Sequence, residues 1–434
     1  MKDYLPEYAA KRVSAPEAAA LLRPGQQVFL DDALSQPKAL LDAMGELART
    51  ERLRDVTLYT TLDIYDIPCY APDVAGKLNG VSWFCGASAR RGVNSGCGDV
   101  MPGYYRDFSR IVREHKTVDV FCAAAAPMDK HGYFSLSTVA SYTNVLIEQA
   151  KYIILEVNRN LPRTHGAPIV HISQVTALCE NDMPLLTLPE SEPDEISRTI
   201  GQYIADEIPD GATIQLGIGA IPNAVGAALR EKRNLGLHTE MFTDSMVGLI
   251  ECGAVDNSRK PIHRGRTVAT FAFGSQRIYD YIDDNPAVQI LPADYVNDPA
   301  IIAQHPNFRS VNAALEVDFY GQTCSESIGT YQVSGTGGQG DFVRGAVLSP
   351  GGKSFIAFSS TAKGGTVSRI VPTLTPGAIV TTGKNDVDHI VTEYGIARLR
   401  GNTLSRRVKE LISVAHPNFR DELTWRAKKQ NILI

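Results

Sequence analysis

Two glycine-rich segments and one acidic residue carry most of the chemistry visible in the sequence. The segment Gly217-Ile218-Gly219-Ala220-Ile221-Pro222 follows directly on an apolar run ending at Leu216. Glycines at the mouth of a helix let backbone N–H groups approach a ligand closely, and a helix N-terminus favours an anion or oxyanion. The spacing is not the six-position dinucleotide fingerprint, because Val225 and Gly226 follow at the wrong distance. A tight strand-to-helix turn without a ligand has the same pattern. The second segment, Ser334-Gly335-Thr336-Gly337-Gly338-Gln339-Gly340-Asp341-Phe342, packs four glycines into six residues. Such a run costs too much backbone entropy to be a neutral linker inside a folded domain. It can gather N–H donors at one point, as an oxyanion hole or phosphate nest does. No Lys-Ser or Lys-Thr follows, so it is not a P-loop, and a flexible surface loop is the alternative.

Glu240 lies in Leu237-His238-Thr239-Glu240-Met241-Phe242-Thr243-Asp244. A carboxylate in an apolar strand is costly unless paired or used. Such a group can attack an activated acyl carbon; a strand-end glutamate facing solvent fits the pattern equally well. Glu316, Glu326 and Glu393 are rivals, each near glycine or aromatic residues. Asn297 follows a strand in Asp294-Tyr295-Val296-Asn297-Asp298-Pro299, where its amide either orients a substrate or serves an Asx-Pro turn. Arg344, Lys363 and Arg369 stand near the glycine segments and are candidates for a phosphate or for solvated surface. No GxSxG occurs, and the nine histidines form no HExxH motif or close His/Cys cluster, so no metal site is expected. The cysteines at 69, 85, 97, 122, 179, 252 and 324 are odd in number and form no CxxC pair, which argues against a disulfide framework.

These residues need a scaffold. Apolar, β-branched runs at 27–30, 56–59, 118–123, 152–157, 213–216, 240–243, 267–272, 287–291, 346–348, 355–358 and 378–381 read as strands. Amphipathic stretches at 15–22, 37–47, 197–207, 222–232, 275–284 and 405–415 read as helices. Strands separated by such helices predict βαβ units with mostly parallel sheets. The pattern also echoes itself. Gly25, Val28 and Leu30 share one offset with Gly211, Ile214 and Leu216, and each copy runs on through a loop to a proline, Pro37 or Pro222, that opens a helix. More weakly, 56–60 resembles 239–243, with Thr57 opposite Glu240. Two similar open α/β domains, 1–188 and 189–434, are the expectation, with the acidic stretch 189–195 as linker.

The 434 residues are 44% hydrophobic and 21% charged, which is globular composition and enough chain for one large or two ordinary domains. A net charge of -5 gives no support to nucleic-acid binding. No apolar run approaches the roughly 18–20 residues that span a bilayer, and the charged start Met1-Lys2-Asp3-Tyr4 has no signal core, so no membrane association and a cytoplasmic location are expected.

Several segments together resemble the acetyl-CoA hydrolase/transferase family of class I CoA-transferases. They are the segments 126–135, from Ala126-Pro127-Met128-Asp129 to Ser135, and 156–163, Glu156 to Arg163, in the first half. In the second half they are 215–222, Ala254-Val255-Asp256-Asn257-Ser258, 332–342, Ser360-Thr361-Ala362-Lys363-Gly364-Gly365 and Thr392-Glu393-Tyr394-Gly395. The resemblance spans nearly the whole chain. It implies a two-domain open α/β fold and an enzyme that moves CoA between a short-chain acyl-CoA and a carboxylate such as acetate, of the 4-hydroxybutyrate or butyrate type. It places the family's nucleophilic glutamate on Glu240, which becomes an acyl anhydride and then a glutamyl-CoA thioester in a ping-pong cycle. The oxyanion-hole glycine falls on Gly337 or Gly338, and the asparagine near the nucleophile on Asn297. Gln215, Gly217, Ile218, Gly219 and Lys363 fall on the CoA side. CoA is then a co-substrate, no tightly bound cofactor is implied, and a homodimer is expected. Acyl-CoA hydrolysis at the same site, a non-catalytic CoA binder and a lyase subunit are the alternatives. One stretch departs from the pattern. Leu30-Asp31-Asp32-Ala33 puts two acids where related sequences often carry a His- or Gly-containing loop, which bears on the choice of carboxylate.

Overall fold

A computed structural model describes residues 3–166, 168–189 and 191–433. The chain divides into two compact units, the first made of 1–188, 269–295 and 332–335, the second of 189–268, 296–331 and 336–434. Two stretches of the second half therefore belong to the first unit. Of the acidic stretch 189–195, residue 190 lies outside the described residues, and Asp194 caps the next helix by accepting from Ser197 N.

The first unit is built on β1 (Gln27–Leu30), β2 (Val56–Thr60), β3 (Leu78–Ser82), β4 (Gly98–Val100), β5 (Val120–Ala125), β6 (Tyr152–Val157) and β7 (Ala177–Glu180). They form one parallel sheet in the order β4-β3-β2-β1-β5-β6-β7. Helix α1 (Lys38–Arg49) turns Leu40, Leu41, Met44 and Leu47 onto Val28, Leu30 and Leu58. The resemblance motifs of this half are largely scaffold. Glu156 accepts from Leu40 N in the first turn of α1 and from Asn181 Nδ2, and Asp129 ties down the N–H groups of His131 and Tyr133 and pairs with Arg163.

The second unit repeats the plan with α2 (Glu195–Asp206), β8 (Thr213–Leu216), α3 (Ala220–Ala228), β9 (Gly236–Phe242), β10 (Arg309–Ala313), α4 (Gln339–Leu348), β11 (Lys353–Ala357), β12 (His389–Thr392) and β13 (Gly395–Arg398). The strands lie in the order β9-β8-β10-β11-β12-β13, parallel except for the last pair. In both sheets the order reverses beside the first strand of the unit, β1 or β8, and ligands of open α/β sheets bind at the carboxyl ends of strands at such a point.

The stronger echo holds, since β1 and β8 are both flanked by the following strand of their unit. The weaker one is shifted. Gln27 pairs with Thr57 and its counterpart Thr213 pairs with Gly236, so Glu240, four residues past Gly236, stands opposite Thr61 rather than Thr57. Two expected strands fail. Residues 346–348 end helix α4, and 378–381 form no strand, although Thr381 N donates to Thr323 O. Apolar runs of three or four residues do not distinguish a strand from a buried helical turn.

Candidate active site

Strand β9 is buried along nearly its whole length, and only Glu240 keeps partial contact with solvent. The strand starts four residues before the expected position, because His238 and Thr239, polar by type, are fully buried within it. Glu240 is therefore a carboxylate inside a strand and not at its beginning.

Two nitrogen donors hold that carboxylate. Asn297 Nδ2 donates to Glu240 Oε2 at 2.6 Å, and the Gly338 N–H also donates to Glu240. Gly338 is the N-cap of α4, so the positive end of that helix faces the acid. A Cβ at 338 would lie 1.8 Å from Glu240 Oε2 and 2.2 Å from Asn297 Nδ2, so a larger residue would displace both groups. Gly337 beside it has φ of +58°, in the left-handed region that favours glycine. Burial pushes the Glu240 pKa up to about 7, and the hydrogen bonds from Asn297 and Gly338 act in the opposite direction.

Beneath these groups lies a layer that sequence reasoning missed. His238 points to the same face of β9 as Glu240, two residues on. Burial, with His305 next, holds the His238 pKa well down, so the ring is neutral and its Nε2–H donates to Val296 O at 2.7 Å. That bond anchors the turn bearing Asn297. The His238 ring lies 4.9 Å from His305 and 6.4 Å from Phe342 of α4, so strand, turn and glycine helix share one packed layer. Asp298, not Asn297, caps the helix Pro299–Ile302 by accepting from Ala300 N, which leaves the Asn297 amide to Glu240.

The rival acids have structural partners. Glu316 accepts from Thr375 N and Oγ1, Glu393 from Ser360 N and Oγ, and Glu326 from Thr381 Oγ1 and, at 3.5 Å, Thr336 Oγ1 beside the glycine run. Gln215 is engaged within the sheet, accepting from Ser310 Oγ at 2.8 Å and from Asn312 Nδ2 at 3.3 Å. Gly217 N donates to Val311 O, Ile218 is 54% exposed, and Gly219, with φ of +108°, caps α3 in a conformation closed to other residues. Helix α3 starts two residues before Pro222, which is tolerated in a first turn where its missing N–H would have no partner. Lys363 sits on the exposed turn of the hairpin pairing Thr361 and Ala362 with Ser368 and Val367, and Arg344 is paired with Asp386. In the first unit Asp31 and Asp32 are both buried; they accept from Thr143 Oγ1 and Tyr105 Oη, and burial raises both, Asp32 to about 7.

A partly ionised, weakly solvated carboxylate is more nucleophilic than one in water. The two donors orient it, and a backbone N–H at a helix N-terminus can bind a developing oxyanion. Among the described residues there is no group of three or more His, Cys, Asp or Glu arranged to hold a metal.

The profile of the acetyl-CoA hydrolase/transferase N-terminal domain matches residues 1–188, and that of the C-terminal domain matches 274–427. The chain is 46% identical to a succinyl-CoA:cyclohexane-1-carboxylate CoA transferase of Geobacter metallireducens over 99% of this chain and 98% of the relative. It is 40% identical to a 4-hydroxybutyrate coenzyme A transferase of Clostridium kluyveri over 98% of each. The crystal structure of a 4-hydroxybutyrate CoA-transferase from Porphyromonas gingivalis superposes with a TM-score of 0.84 at 34% identity, covering 98% of this chain and 100% of that one.

Proposed function

The chain belongs to the acetyl-CoA hydrolase/transferase family, and from that membership we propose that it is a CoA-transferase, moving CoA between a short-chain acyl-CoA and a carboxylate through Glu240. The observation that carries this reading is the clamp on Glu240, a largely buried carboxylate held by Asn297 Nδ2 and by the N–H of a glycine whose missing side chain leaves room for both groups. Full-length relatives named for CoA transfer support it. A relative named as an acetyl-CoA hydrolase is more distant, at 27% identity over 72% of this chain.

The Glu240 carboxylate attacks the thioester carbonyl. The tetrahedral oxyanion takes the Gly338 N–H, a donor of the kind worth about 3–4 kcal/mol in such intermediates. The C–S bond breaks, leaving an acyl-glutamyl anhydride and CoA thiolate. The thiolate attacks the glutamyl carbonyl, expels the first carboxylate and leaves a glutamyl-CoA thioester. The incoming carboxylate attacks that thioester to form a second anhydride and release the thiolate again. Thiolate attack on the acyl carbonyl then gives the new acyl-CoA and restores Glu240. Thioester and carboxylate are consumed and regenerated together, so the overall exchange is close to isoenergetic. Asn297 keeps the nucleophile aligned at the start and end of the cycle. The glycines at 217 and 219, with Gln215, Ile218 and Lys363, form the CoA side of the reading.

Acetate, butyrate and 4-hydroxybutyrate are the candidate acids to compare. We place the reaction in the cytoplasm, a reading supported by seven cysteines that are all free. The test is exchange of CoA between acetyl-CoA and a panel of carboxylates. Wild-type protein should exchange CoA with at least one short-chain acid, and Glu240→Ala should lose exchange. Exchange by the variant at more than a few per cent of the wild-type rate would end the assignment.

A further inference from the structure

The loop 258–266 reads Ser-Arg-Lys-Pro-Ile-His-Arg-Gly-Arg, three arginines and a lysine without one acid, and the proposed reaction uses none of them. It lies in the second unit and is firmly held. Asn257 accepts from Leu237 N at 2.8 Å and donates to Thr267 Oγ1 at 3.1 Å, while its backbone carbonyl accepts from Gly265 N at 3.0 Å. Lys260 is 2% exposed and gives two of its three hydrogens to Leu237 O and Arg266 O, each at 2.7 Å. The third has no acceptor among the described residues, and no carboxylate offsets the charge; burial alone pushes the lysine down to about 7.

A cavity of about 510 Å³ opens here, lined by Asn234, Ser258, Arg259, Lys260 and Arg264. That volume falls within the range of small-molecule sites, about 300–1,000 Å³. Neither arginine has a carboxylate partner among the described residues. Asp256 borders the cavity wall, its carboxylate accepting from two lining residues, Asn234 Nδ2 at 2.8 Å and Ser258 N at 2.9 Å. Two arginines and a buried lysine beside the hollow suit an oxyanion, and guanidinium groups match phosphate oxygens two at a time.

The cavity lies by the amino end of β9, whereas the glycines at 217 and 219 follow the carboxyl end of β8. Lys260 holds the start of β9 at Leu237, about 10 Å along the strand from Glu240. We infer that this pocket is a second ligand site, separate from the acyl-CoA site, that binds a small anion bearing a diphosphate group.

Pyrophosphate is the probe. Calorimetric titration of the full-length protein should give saturable one-to-one binding. The double variant Arg259→Ala/Arg264→Ala, both positions being exposed, should weaken it at least tenfold while the melting temperature and the KM for acyl-CoA stay as in wild type. Absence of saturable binding to wild type, or equal binding by the double variant, overturns the site. A rise in KM for acyl-CoA alongside lost pyrophosphate binding overturns its separateness and gives the pocket to CoA. Because the readout is binding, its failure is distinguishable from failure of the transferase reading.

Discussion

Gly338→Ala is the substitution whose consequence the geometry sets most firmly. The added methyl would stand 1.8 Å from Glu240 Oε2, whereas ordinary contact begins at 3.4 Å, so the carboxylate must retreat by about 1.6 Å (3.4 − 1.8). Asn297 Nδ2, 2.2 Å from the same methyl, must move as well, so the clamp opens on both sides. The backbone N–H is unchanged by the substitution, and φ of −96° is open to alanine, so no other strain is introduced. Misplacing a reacting group by about 1 Å can cost on the order of 100-fold in rate. The kcat for butyryl-CoA formation from acetyl-CoA and butyrate, followed by chromatography of the CoA esters, should therefore fall at least 100-fold. Overpacking of this size destabilises by about 1–3 kcal/mol, which a thermal melt would register without unfolding the protein at 25 °C. A variant within threefold of wild-type kcat would show that Gly338 does not press on the nucleophile, and the proposed role of its N–H would fall with it. Gly217→Ala is the contrast: its methyl would meet Val311 O at 3.5 Å, an ordinary contact, so the melting temperature should change little.

Asn297→Ala removes a hydrogen bond that favours the charged form of Glu240, so the acid limb of the kcat/KM profile should move to higher pH from its start near 7. A limb left in place would remove Asn297 from the clamp. His238→Phe strands the buried Val296 carbonyl, at a cost of about 1–3 kcal/mol, and should lower kcat more than it changes KM; equal kcat would contradict a positioning role. Asp32 has its folded pKa raised by burial to about 7, so its stability contribution is complete below about pH 4 and is lost as pH rises through 7. Asp32→Asn should accordingly gain in unfolding free energy, read from urea titrations, by on the order of a few kcal/mol over wild type at pH 8 but not at pH 4, and an equal difference at both would refute the assignment.

The two-unit plan was legible because β1 and β8 carry the same turn, apolar strand and proline-opened helix, features set by local chemistry. Glu240 was legible as an acid amid apolar residues, but its place within the strand was hidden by His238 and Thr239, whose polar side chains are buried through packing and hydrogen bonds made far along the chain. Asn297 could not be separated from its neighbour by pattern alone; only the fold shows Asp298 taking the cap. His238 carried no signal, since nothing local marks which carbonyl a histidine will meet 58 residues later. The division into 269–295 and 332–335 was equally invisible, because long-range return of the chain leaves no periodicity.

The central claim is that Glu240 becomes covalently attached to CoA during turnover. Incubating the enzyme with acetyl-CoA, reducing with borohydride and mapping peptides by mass spectrometry measures it directly. The account predicts loss of activity together with conversion of the Glu240 side chain to a primary alcohol, and neither change without acetyl-CoA. Reduction at another residue, or full activity with an intact Glu240 after the same treatment, would contradict it.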